Sequence, residues 1–91
     1  MNTIHAMTGF PHRGTYLPNT ARVLDSVITS QDQEEEGVFV YGYVLAQRDN
    51  GEFATWRMGM APNGDIQTWA GHYYDNIVGA VQNFRDRLQG A

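Results

Sequence analysis

The sequence contains no cysteine and no lysine, and only three prolines. Without cysteine there is no disulfide staple and no thiolate metal ligand, which fits a reducing compartment. Without lysine there is no Schiff-base nucleophile and no lysine for a phosphate-binding P-loop. The six basic residues are all arginines, namely Arg13, Arg22, Arg48, Arg57, Arg85 and Arg87. A long apolar run is also missing. Met1–Phe10 is too polar to read as a signal peptide, and no stretch is long enough to cross a bilayer. The expectation is a cytoplasmic chain with no membrane partner.

What is present suits one small domain over residues 1–91. Of its residues 42% are apolar and 18% charged, the balance of a globular protein. A chain of this length buries roughly 60–65% of the surface it exposes when unfolded. Its net charge of −4 and pI near 5.1 oppose a direct grip on nucleic acid. That charge is unevenly spread. Residues 1–24 carry two arginines and no acid, whereas 25–36 carry Asp25, Asp32, Glu34, Glu35 and Glu36. The acidic segment 31–37 reads as a solvated loop, and residues 1–16, with Gly9, Pro11 and Gly14, as an irregular arm.

Val38–Arg48 and Glu52–Met60 are rich in Val, Tyr, Phe, Trp and Met and flank Asp49-Asn50-Gly51. Asn-Gly between two such runs signals a hairpin. A two-residue Asn50-Gly51 turn would place Tyr41, Tyr43 and Leu45 on one face with Met60, Met58 and Trp56. Val40, Val44 and Ala46 would then share the other face with Phe53 and Arg57. Ala61-Pro62-Asn63-Gly64-Asp65 is a second turn, followed by a strand over Ile66–Tyr74. With a glycine bulge, Ile66, Thr68, Ala70, His72 and Tyr74 join the Trp56 face; with a symmetric four-residue loop, Trp69 and Tyr73 do. Asp75 can cap a helix whose Ile77, Val81, Phe84 and Leu88 form one stripe across the Tyr41–Trp56 face. Arg22–Ser30 is compatible with a helix behind Pro18-Asn19-Thr20, but Val23, Val27, Ile28 and Thr29 favour a strand. The expected fold is α+β: an antiparallel meander of three to four strands backed by one C-terminal helix.

Motifs for chemistry are scarce. His5, His12 and His72 lack metal-ligand spacing, and the ten glycines form no phosphate-binding fingerprint. Ser26 and Ser30 lack a nucleophile elbow. No catalytic residue, metal or cofactor is therefore expected. Surface recognition remains, through Arg48, Arg57, Phe53 and Trp69 on the sheet and Asp32, Glu34, Glu35 and Glu36 in the acidic loop. Arginine and aromatic side chains are the types that dominate interface hot spots. Against this stands an arm that folds over the outer sheet face with Ile4, Met7, Phe10 and Tyr16.

The hairpin around Asp49-Asn50-Gly51, the Gly71-His72-Tyr73-Tyr74 strand end and the Ala80-x-x-x-Phe84 helix resemble small acidic accessory proteins of phages and mobile elements. These include anti-CRISPR and other anti-defence inhibitors. The resemblance spans residues 38–91 and implies a non-enzymatic module that blocks a nucleic-acid-handling protein or ribonucleoprotein complex of a host, in the host cytoplasm. Two further readings stand beside it. One is a ligand-binding domain or small enzyme with a pocket near His72 and Tyr74, with Thr55 contributing. The other is a structural subunit that self-associates, as a homodimer, through the outer sheet face.

Overall fold

The computed structural model describes residues 10–90. Glycine-closed turns organise it. In the central hairpin the Arg48 N–H donates to the Glu52 carbonyl at 2.7 Å, and the Gly51 N–H donates to the Arg48 carbonyl at 2.9 Å. Gly51 adopts φ +91°, and Asn50 is not among the residues of positive φ. The loop is therefore the three-residue Asp49-Asn50-Gly51, which needs one left-handed residue, whereas a two-residue type I′ turn needs two. Gly64 repeats the device at φ +92°, with the Ala61 N–H donating to the Asp65 carbonyl at 2.9 Å.

The result is a four-stranded antiparallel sheet of order β1-β2-β3-β4 with one C-terminal helix, an α+β fold. The strands are β1 (Arg22–Glu34), β2 (Gly37–Gln47), β3 (Phe53–Met60) and β4 (Ile66–Tyr74), and α1 covers Ile77–Gly90. The β-branched Arg22–Ser30 segment is strand. The acidic segment differs from the expected loop. Gln31–Glu34 pair with Val40, Phe39, Val38 and Gly37, so only Glu35-Glu36 forms the turn. The long β2 run offers its backbone to these residues, and a paired strand satisfies it better than a loop. Register shifts between Val23 and Asp25 and between Ile28 and Ser30 bend β1 along the way.

The three-residue loop changes the sheet's faces. Val44 lies opposite Trp56, Gly42 opposite Met58 and Val40 opposite Met60. Tyr41, Tyr43 and Leu45 fall on the other side, against Gly59, Arg57 and Thr55. The expected grouping of Tyr41, Tyr43 and Leu45 with Trp56, Met58 and Met60 is thus wrong, because one extra loop residue inverts one strand against its partner. β4 begins with the bulged register, so Ile66 and Thr68 lie opposite Met60 and Met58. A second irregularity follows, where Trp69 pairs Arg57 but His72 pairs Thr55. Ala70, at φ +53°, makes that bulge. His72 and Tyr74 are thereby turned away from Trp56, and Tyr73 is turned toward it.

The two faces carry separate cores. On one, Phe10, Leu17 and Ala21 pack on Val23, Val40, Val44, Ala46, Ala54, Trp56, Met58 and Met60. The arm is tied to β1 by the Gly14 N–H donating to the Val23 carbonyl (2.9 Å) and by the Ser26 hydroxyl donating to the Pro11 carbonyl (2.5 Å). Each fully buried apolar side chain contributes roughly 1.5–3 kcal/mol, so covering this face supplies most of the stability. Tyr16 does not join it and is 69% exposed; His5, Ile4 and Met7 lie outside the described residues. On the other face Ala80 and Phe84 of α1 pack on Leu45, with Leu24, Val27, Tyr43, Phe53 and Tyr74 around them. Val81 and Leu88 extend the stripe, but Ile77 is exposed. The helix cap is Asn76, whose Oδ1 accepts the Gly79 N–H at 3.0 Å; it takes the place expected of Asp75.

Candidate functional site

α1 has 14 residues and spans about 21 Å, whereas the 11 residues of β2 span about 36 Å. One helix therefore leaves part of its face of the sheet uncovered. Two rows of side chains follow from the register there. The first is Tyr43, Arg57 and Trp69; the second is Tyr41, Gly59 and Gln67. Phe39, Ala61 and Asp65 close the far end, and with Trp69 and the second row they line a groove of about 220 Å³, beside which Tyr43 and Arg57 stand.

Gly59 forms the floor. A Cβ there would lie 3.2 Å from the Tyr41 ring and 3.3 Å from the Trp69 ring. The missing side chain lets the two rings close over Gly59, and both line the groove with it. Trp69 is 40% exposed, so the wall is accessible.

Arg57 stands at the helix end of the groove. Its guanidinium is 6.0 Å from the ring centres of both Tyr43 and Trp69, in cation–π range. Arg87 of α1 approaches the Tyr43 ring to 5.8 Å and donates to the Ala70 carbonyl. The ion pair found among the described residues joins Arg48 and Glu52, so neither Arg57 nor Arg87 has a carboxylate of those residues within salt-bridge distance. The far end has the opposite sign. Asp65 lines the groove, Glu36 lines the adjoining depression with Phe39 and Pro62, and Asp32 pairs with Phe39 across the strands. The site is aromatic in the middle, cationic at one end and anionic at the other.

The structure brings some expected site residues together and separates others. Arg57 and Trp69 meet; Asp32 and Glu36 reach the far end of the same face. Glu34 and Glu35 lie exposed at the tip of the β1–β2 hairpin. Arg48 lies on the opposite side, paired with Glu52 at 2.6 Å and 5.0 Å from the Tyr73 ring centre. Phe53 packs beneath α1. The outer surface of Val40, Val44 and Ala46 that self-association would use lies beneath the arm, with each residue 0–1% exposed. Tyr41, Tyr43, Gly59 and Arg87 were not among the expected site residues. The alternation Phe39-x-Tyr41-x-Tyr43 carried the signal, since it sets three rings on one face of a strand too long for the helix to cover.

Around His72 the structure shows a contact filled by protein. The Thr55 hydroxyl, fully buried, donates to Asn83 Oδ1 of α1 at 2.5 Å, and His72 Nδ1 lies 3.3 Å from that oxygen. The Tyr74 ring lies against Gly79, where a Cβ would come within 2.9 Å of it. These side chains fasten the helix to the sheet. Among the described residues no three His, Cys, Asp or Glu side chains group to hold a metal, and no helix is long and apolar enough to cross a membrane. Comparison with protein-family models, curated proteins and solved structures found no match.

Proposed function

We propose that this protein is a non-enzymatic binding module that occupies a surface of a protein or ribonucleoprotein complex and blocks it sterically in the host cytoplasm. This is the mode of the phage and mobile-element inhibitors its sequence resembles. The observation that supports it is Arg57, exposed, within cation–π range of Tyr43 and Trp69 and without a carboxylate partner among the described residues. Arginine and aromatic side chains held in place before binding lose little entropy on contact, which is why they dominate hot spots. The anionic end of the groove disfavours a direct nucleic-acid ligand, so any ribonucleoprotein would be engaged through its protein surface.

The test is affinity capture from the native host, followed by reconstitution with the purified complex. The expected result is a stoichiometric block of that complex's activity, weakened at least about tenfold by Arg57→Ala or Trp69→Ala, with melting temperature unchanged for Arg57→Ala. Neutralising Glu34, Glu35 and Glu36 tests whether the acidic tip adds to the same interface. Catalytic turnover at limiting protein, or full-strength inhibition by both groove variants, refutes the proposal.

A further inference from the structure

We propose that the groove receives an extended segment of the partner in which an acidic residue, an apolar residue and a basic residue alternate as acid-x-apolar-x-base. The inference rests on the binding-module reading and names what that site recognises. Its basis is spacing and charge. Arg57 lies one row from Gly59 toward the helix, and Asp65, whose carbonyl accepts the Ala61 N–H, lies one row from Gly59 on the other side. Rows on one face recur every second residue, roughly 6.6 Å, so the backbone rows that carry the two charges are separated by about 13 Å. An extended peptide presents residues i, i+2 and i+4 on one side with the same repeat.

Laid along the groove, its carboxylate at i reaches Arg57, with Arg87, which also lies against Tyr43, adding to the field. The apolar residue at i+2 packs in the groove on the Tyr41 and Trp69 rings, which close over Gly59. The cation at i+4 meets Asp65, with Glu36 and Asp32 beyond it. Charge-assisted pairs at both ends fix the register, and the aromatic middle supplies desolvated contact. A single nucleic-acid strand fits poorly. Its bases would stack on Tyr41 and Trp69, but its repeating phosphates would meet Asp65, Asp32 and Glu36.

The test uses the full chain labelled with nitrogen-15 and end-capped pentapeptides at low salt. Glu-Ser-Leu-Ser-Arg and its reverse carry the pattern in both chain directions; Glu-Ser-Leu-Ser-Glu, Arg-Ser-Leu-Ser-Arg and five-residue oligothymidine are the competitors. At least one mixed-charge peptide is expected to shift the amides of Tyr41, Gly59, Gln67 and Trp69 and to bind about tenfold more tightly than either like-charge peptide. Arg57→Gln, whose amide spectrum reports an intact fold, should abolish the advantage over Arg-Ser-Leu-Ser-Arg. Equal binding of all peptides, tighter binding of oligothymidine, or no shift at millimolar peptide overturns the inference. If the groove variants still lose the captured complex in that event, the binding-module reading survives alone. If capture is also insensitive to them, both fall.

Discussion

Replacing Gly42 by Ala and, separately, Gly59 by Ala adds the same methyl group to neighbouring central strands against two different obstacles. At Gly42 the new Cβ would lie 2.0 Å from the Val27 carbonyl oxygen, 2.9 Å from its carbon and 3.1 Å from Ile28 Cα. All three are backbone atoms of β1, beside the register shift that follows Ile28. Non-bonded heavy atoms settle at roughly 3.5 Å or more, so β1 and β2 must part by more than about 1 Å. Overpacking alone costs about 1–3 kcal/mol, and losing one or two ladder hydrogen bonds adds about 0.5–1.5 kcal/mol each. A loss of about 3–5 kcal/mol is therefore expected, from a total of roughly 5–14 kcal/mol for a chain of this length. At Gly59 the obstacles are ring edges at 3.2–3.3 Å that border an open groove and can yield. The gain from replacing a strand glycine, roughly 0.5–1 kcal/mol, offsets the crowding. That variant should stay within about 1 kcal/mol of the parent while losing groove affinity. Urea unfolding followed by Trp fluorescence measures both. In melting temperature the Gly42 variant should fall by about 12–40 °C, at roughly 4–8 °C per kcal/mol. If Gly42→Ala stays within about 0.5 kcal/mol of the parent, or costs less than Gly59→Ala, the placement of the β1 bulge against Gly42 is wrong.

Three further outcomes follow from the same geometry. Trp56→Ala removes a side chain 5% exposed in the main core, whose Nε1–H donates to Tyr73 Oη at 3.2 Å; denaturant titration should show a loss of about 3–5 kcal/mol. Ala70→Gly relieves a left-handed residue at φ +53° and should raise stability by about 0.5–1 kcal/mol, whereas Ala70→Val should lower it; thermal melts check both. Asn76→Ala removes the acceptor of the Gly79 N–H and should cost about 1 kcal/mol, with earlier amide exchange in the first turn of α1.

Local chemistry alone determined much of this protein. The turn glycines, the β-branched Arg22–Ser30 run and the Ala80–Phe84–Leu88 periodicity specify four strands and a helix, because each signal acts within a few residues. Arg57 and Trp69 were legible as candidates for recognition from their side-chain chemistry, and the structure brings them together. Which side of the sheet they face was not. Asn50-Gly51 suits both a two-residue turn and the end of a three-residue one, and the choice depends on whether Trp56, Met58 and Met60 pack better beneath the arm or beneath the helix. Likewise nothing in Trp69-Ala70-Gly71 marks a bulge by itself. Ala70 accepts a left-handed conformation because Trp69 must reach the Arg57 face while Tyr73 reaches Trp56. The sequence by itself determined the elements and their order. The tertiary structure decided their faces, since a one-residue register shift changes little local energy but exchanges every side chain between the two cores. The groove over Gly59 is a product of that second decision.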